Sequence, residues 1–210
     1  MIEGNKRVVL QRELWDHRAR KQGPKTVMCS DFSAQEAFEA DKVQSEILDH
    51  MLGGKTSNLC LELGAGYGRL TDLFLRHSQG VVLMDISHRM LSNAKDLGFS
   101  PVVQADLMQQ PFSSEVFDLI TAASILGHIS SESELERVVK EIGRLSMMGS
   151  RLVVDEMEGE TGIKVGGGHY TIRSSEYMKD LFAKNWDLKT AVSYMFGPQQ
   201  HTAMLFSKIS

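Results

Sequence analysis

Cysteine is scarce in this chain: Cys29 and Cys60 are the only two among 210 residues, and they sit in different contexts. Cys60 lies inside an apolar run, where a thiol packs as a small hydrophobe. Neither a disulfide framework nor a zinc site is implied, and no metal is expected. Long hydrophobic runs are missing too. Nowhere do about 18 uncharged apolar residues follow one another, the length that marks a membrane helix. The opening "MIEGNKRVVLQREL" holds an apolar run of only three residues, which is too short for a signal peptide. The expectation is a soluble, cytoplasmic protein with no membrane partner. An excess of positive charge is also absent. The net charge of -4 argues against wholesale nucleic-acid binding. The balance is uneven, because Lys6, Arg7, Arg12, Arg18, Arg20, Lys21 and Lys25 face only Glu3, Glu13 and Asp16 in the first 25 residues. Such an arm is either a solvated helix face or a segment that meets an anionic group.

At this length, with 42% hydrophobic residues, one well-buried core is the default and no shift in composition suggests a second domain. Short apolar runs suited to buried parallel strands occur at 58–63 (NLCLEL), 80–85 (GVVLMD), 101–106 (PVVQAD), 116–124 (VFDLITAAS) and 151–156 (RLVVDE). Helical spacing fills the gaps at 68–77, 87–97 and 131–147. In the last of these, Leu135, Val138, Val139, Ile142 and Leu145 share one face. Strand and helix alternating through short connections predict right-handed crossovers and a doubly wound, mostly parallel α/β sheet.

Both ends depart from that rhythm. Residues 1–52 read as a helical cover, with helices at 7–22 and 33–52, the second opened by Ser33 and Glu36 in the pattern of a capping box. Residues 157–210 hold a capped helix at 174–185 and two strand-like segments, "WDLKTAVSYM" and "TAMLFSKI", around the turn-like "FGPQQH". An antiparallel pair closing the sheet edge fits. The segment "EGETGIKVGGGHY", with five glycines, is either an active-site lid or a plain loop.

The stretch "LCLELGAGYGRLTDLFL" places Gly64, Gly66 and Gly68 where the first strand of the core, 58–156, turns into a helix. Ligands of open parallel sheets bind beyond the carboxyl ends of the strands. A helix N-terminus there offers unpaired N–H groups to a polar ligand. The dinucleotide spacing G-x-G-x-x-G fails in both registers, at Arg69 and at Thr71, and no G-K-[ST] follows. What stands instead is E-x-G-x-G-x-G, with the acid at Glu62.

In that form, "LELGAGYGRL" resembles motif I of the class I S-adenosylmethionine-dependent methyltransferases. "VVLMDISHRMLSNAKDLG" is similar to the family's second strand and helix, "VVQADLMQQPFSSEVFDLITAASILGHI" to its third and fourth strands, and "EIGRLSMMGSRLVVDE" to the helix, turn and fifth strand. The chain departs where the family often has a Pro-Gly-Gly turn, with Met148, Gly149 and Ser150 in its place. The resemblance runs from about Asn58 to Glu156 and implies a seven-stranded Rossmann-like methyltransferase fold that binds S-adenosyl-L-methionine and releases S-adenosyl-L-homocysteine. By that resemblance the backbone at Gly64, Ala65 and Gly66 contacts the methionine part, with Glu62 near its ammonium. Asp85 takes the ribose hydroxyls, Ser87 caps the helix that follows, and Asp106 reads the adenine amino group. Ile86, Met90 and Leu107 sandwich the ring, although ordinary core packing explains an apolar residue such as Met90 as well. A carboxylate accepts two hydrogen bonds from a diol and favours the cationic end of this cofactor. The alternative for each acid is helix capping.

Methyl transfer asks mainly for alignment, exclusion of water and a base where the nucleophile carries a proton. His128, in "ILGHI", stands where such a base or an orienting group belongs. His169 and Tyr170 are candidates to close over the acceptor or to anchor a loop, and Trp15 and His17 to cover the cofactor or, for Trp15, to pack in the core. No N/D-P-P-Y/F/W follows the fourth strand, no Pro-Cys nucleophile is present, and the carboxylate set that holds magnesium in catechol enzymes of this fold is missing. Nucleic acid is therefore disfavoured as acceptor. The expectation is transfer to a nitrogen or oxygen of a small metabolite or natural product, without a metal. RNA methylation, a non-catalytic cofactor module and a nucleotide-dependent oxidoreductase are the rival readings.

Overall fold

The computed structural model describes residues 2–20 and 32–210. Cys29, Lys21, Lys25 and the end of the first predicted helix lie outside the described residues. Helix α1 (Ile2–Arg18) starts ahead of the predicted position, and α2 (Ala34–Leu52) opens with the expected box, Ser33 Oγ accepting from Glu36 N while Glu36 accepts from Ser33 N. The core then runs β1 (Ser57–Leu63), α3 (Thr71–Arg76), β2 (Ser78–Asp85), α4 (His88–Asp96), β3 (Val102–Gln104), β4 (Phe117–Ala123), α5 (Glu132–Leu145) and β5 (Ser146–Met157). A two-stranded excursion, β6 (Lys164–Val165) and β7 (Tyr170–Thr171), precedes α6 (Ser175–Phe182), β8 (Trp186–Phe196) and β9 (Gln199–Lys208).

Seven strands form one sheet in the order β3-β2-β1-β4-β5-β9-β8. The first five are parallel, while β9 runs antiparallel to both β5 and β8. This is the predicted doubly wound sheet with its closing antiparallel pair. Alternation along each strand sends side chains to two apolar layers. Leu61, Leu63, Ile120, Leu152 and Phe206 meet α5 and α6 on one face. Cys60, Leu83, Leu119 and Val153 meet α2, α3 and α4 on the other.

Several boundaries moved for physical reasons. Helix α3 begins at Thr71 rather than 68, because Gly68 N bonds Ala65 O and Thr71 N bonds Gly68 O, which spends those residues on the turn. The segment predicted to finish α5 and make a turn, 146–150, is instead the irregular start of β5. Pairing jumps from Phe117↔Ser146 to Leu119↔Arg151, and Gly149 takes φ 72° inside that bulge. The predicted strand at 101–106 shortens to three residues, since Asp106 turns back to bridge Gln109. Within the glycine-rich stretch, Gly166–Gly168 forms the tip of the β6–β7 hairpin.

Leu152, fully buried at the centre of the sheet, tests how much the two-layer core holds. Leu152→Ala is expected to lower unfolding free energy by about 2–5 kcal/mol, read as an earlier midpoint in urea with an unchanged slope.

Candidate active site

Glu62 and Asp85 are the terminal or penultimate residues of adjacent parallel strands, so both reach the same edge of the sheet. Asp106 follows β3 by two residues and joins them there. Asp85 accepts from Gly66 N at 2.9 Å and from Ser87 N at 2.8 Å. One carboxylate thereby ties the glycine turn after β1 to the turn after β2. Glu62 accepts from Thr71 Oγ1 at 2.6 Å. Burial pushes the Glu62 carboxyl up to about 8, with the Thr71 hydroxyl and Arg69 pulling the other way. Burial likewise lifts Asp85 to about 6 against its backbone donors. Gly64 has φ 65°, and a Cβ there would lie 2.5 Å from the Ile125 side chain. The turn therefore admits only glycine at this position.

These groups open on one cleft. Its floor holds Glu62, Gly64, Ala65, Gly66 and Asp85, and one end is walled by Ile86, Met90, Asp106 and Leu107. Trp15 and His128 also border it. The structure thus brings together the residues assigned from sequence to the cofactor, with the exception of His17, and Met90, 1% exposed, belongs to both core and wall. His17 is exposed and does not line the cleft.

His128 ends a 3-10 turn, Leu126–His128, just after β4. Its ring stands edge-on between Trp15 (5.1 Å) and Tyr170 (5.0 Å), and its Nδ1 lies 3.0 Å from the His169 carbonyl oxygen. A carbonyl only accepts, so Nδ1 carries the proton and Nε2 keeps a lone pair. Burial drives the imidazole down to about 4, which leaves it neutral at physiological pH. The two residues expected near the acceptor are placed differently. His169 is exposed and meets His128 through its backbone, whereas Tyr170 is buried behind the cleft wall with its hydroxyl on Glu156.

Several wall residues went unread in the sequence. Arg7 and Gln11 line the cleft with Trp15, and their spacing of four along α1 was a legible signal. Arg7 forks onto Asp106 at 2.9 and 3.1 Å and lies 3.5 Å from Glu134. Part of the basic arm is thus turned inward, and Asp106 already holds a cation from the cover helix. Asp16 binds Ser87 Oγ and accepts from Arg89 N, which fastens α1 across the cleft. On the opposite side Arg69 pairs with Asp41 and with Gln44 Oε1, and Gln44 in turn reaches the fully buried Asp155. Ser124, at the tip of β4, sits at φ 55°, a conformation that costs a non-glycine residue energy and clusters at functional sites. Phe196 arrives from the β8–β9 hairpin, a contact that only the tertiary fold reveals.

The raised Glu62 has a measurable consequence. Between its ordinary 4.5 and about 8, the folded chain keeps a proton that the unfolded chain has released. Its stabilising contribution is therefore full below that window and lost as pH rises through it. Urea unfolding at about pH 5 and about pH 8 should show Glu62→Gln with a shallower loss than the unsubstituted chain. Equal slopes would assign the titration to another group.

A family described as "Methyltransferase domain" matches residues 61–154. A curated relative, the ubiquinone/menaquinone biosynthesis C-methyltransferase UbiE of Vibrio parahaemolyticus, is 32% identical over 114 residues, covering 50% of this chain and 43% of that protein. The chain thus spans less than half the length of that relative. Among solved structures, the N-methyltransferase NodS of Bradyrhizobium japonicum, in complex with S-adenosylhomocysteine, superposes with TM-score 0.71 at 16% identity, covering 95% of this chain and 98% of that one. The 1,6-didemethyltoxoflavin-N1-methyltransferase of Burkholderia thailandensis, with its substrate and S-adenosylhomocysteine bound, gives 0.67 at 19% identity over 81% and 79%. These two are likenesses of fold. The sequence match falls on the segment that builds the glycine turn and its acids, so this part of the chain is similar to the methyltransferase domain family.

Proposed function

We propose that this chain is an S-adenosylmethionine-dependent methyltransferase that moves the sulfonium methyl to a nitrogen or oxygen of a small metabolite. The observation that carries the reading is the convergence of Glu62, Asp85 and Asp106 with the Gly64–Gly66 turn on one cleft that His128 also borders. Asp85 keeps lone pairs for a ribose diol after receiving its two backbone bonds. Gly64, Ala65 and Gly66 offer backbone to the methionine part, and Glu62 lies beneath it as a carboxylate that a nearby cation would ionise. Ile86, Met90 and Leu107 form an apolar slot for a purine, with Asp106 at its edge. The cofactor brings an activated methyl group, so the chain's share is to align the acceptor and exclude water. The α1 cover, with Trp15 against His128, suits the second task.

Two observations favour a small acceptor. One solved neighbour of the same fold is named for a small substrate, 1,6-didemethyltoxoflavin, which it holds bound, and the inward-facing Arg7 subtracts from any surface that would grip RNA phosphates. A second reading, transfer to a ring carbon, draws support from the printed name of the UbiE relative. It shares the cofactor site and differs only in the atom that attacks.

Calorimetric titration with S-adenosylhomocysteine beside a dinucleotide control tests the proposal. Micromolar binding of the first alone is expected, with Asp85→Ala abolishing it. Binding of the dinucleotide alone would replace the proposal with an oxidoreductase. RNA affinity that falls steeply with salt would favour an RNA acceptor. His128→Ala should leave cofactor affinity unchanged while lowering transfer in a screen of amine, phenol and quinol acceptors. Undiminished turnover would remove His128 from the chemistry.

A further inference from the structure

The turn that presents His128 is held from both sides by buried charge. Glu156, near the end of β5, is 5% exposed and receives four donors on its two oxygens. Its Oε1 accepts Ile125 N at 2.9 Å and Leu126 N at 2.7 Å, while its Oε2 accepts Gly127 N at 3.2 Å and the Tyr170 hydroxyl. On the carbonyl side Arg173, also 5% exposed, donates to Leu126 O at 3.3 Å and Ile129 O at 2.6 Å. The backbone groups of this short turn are therefore spoken for by a buried anion and a buried cation. Such bonds are costly to leave unmade once buried.

The β6–β7 hairpin completes the arrangement. Tyr170 presses so close to Gly127 that a Cβ there would lie 2.2 Å from its ring. Its hydroxyl also accepts from Met157 N at 3.2 Å. Docked this way, the hairpin delivers the His169 carbonyl to His128 Nδ1. The charged or titratable groups around the imidazole are Arg18 on α1 and His169 with Tyr170 on the hairpin, with Glu156 behind Tyr170.

We propose that Glu156 and Tyr170 are positioning residues that lock His128 as the Nδ1–H tautomer, so that Nε2 offers its lone pair to an O–H or N–H of the acceptor. This rests on the reading of the cleft as a methyl-transfer site. In the step it serves, the acceptor heteroatom forms a bond to the methyl carbon as the carbon–sulfur bond breaks. That electron pair stays on sulfur as a neutral thioether. The acceptor's proton passes to Nε2 and from the imidazolium to water. Glutamine at position 156 would replace one acceptor oxygen with a donor, setting it against two of the four groups that now point at the carboxylate.

Nitrogen-15 NMR of the imidazole, assigned by the signal lost in His128→Ala, tests this without a known acceptor. In the unsubstituted chain His128 should show protonated Nδ1 and bare Nε2 from about pH 8 down to about pH 5. An Nε2–H tautomer there would overturn the proposal by itself. Tyr170→Phe and Gly127→Ala, with Glu156→Gln as a harsher variant, should give mixed tautomers and a titration moved toward the ordinary value of about 6.5. A variant counts when its S-adenosylhomocysteine affinity stays within about threefold of the parent. Such a variant with an unchanged tautomer and titration would overturn the proposal too. The expected tautomer in a chain that binds no S-adenosylhomocysteine would leave the positioning intact and dismiss the methyltransferase reading.

Discussion

The pair of bonds that Asp85 accepts from Gly66 N and Ser87 N is the constraint on which the cleft depends. Parallel strands end side by side, but their connecting turns are otherwise free to diverge. A single buried carboxylate forces the first two turns to a common height, and the helix start at Ser87 is held at the same point. Asp85 is paired for this work with donors and not with a counter-charge, which is why burial raises it above the usual carboxylate range. Acid at this position is thus at once a piece of scaffold and a group with unused acceptor capacity.

Around that centre the chain distributes two kinds of closure. Helix α1 is fastened by ions and hydrogen bonds, Arg7 to Asp106 and Asp16 to the buried Ser87, with Arg7, Asp106 and Asp16 partly exposed to water that can compete for them. The wall carrying His128 is fastened by Glu156, Tyr170 and Arg173, all buried. Interactions of the first sort are worth little each, whereas those of the second are expensive to break. The cleft is accordingly soft on the side of the cover helix and stiff on the side of the imidazole.

Much of this was legible in the sequence. Period-two and period-four apolar spacing was enough for the order of elements in the core, and the departures came where local geometry overrode composition, as at the bulge of residues 146–150. The acids and glycines were readable because their neighbours in sequence are their neighbours in the site. Arg7 and Gln11 were readable in principle from their spacing with Trp15. Phe196, Arg69 and the Glu156–Tyr170 pairing were not, since each depends on contacts between segments far apart in the chain. Tyr170 shows the limit most plainly. Beside a run of glycines an aromatic reads equally as a cover or as the anchor of a loop, and only the packed structure shows its hydroxyl bonded to a buried carboxylate.

The contact between Gly127 and the Tyr170 ring bears on how such a chain can diverge. Neither position is free to change first. A larger residue at 127 demands a smaller one at 170, and a smaller one at 170 leaves an acceptor oxygen of Glu156 without its hydroxyl donor and lets the hairpin drift. Two positions 43 apart in sequence are therefore a single unit of inheritance, and variation of the cleft would have to begin elsewhere along its wall.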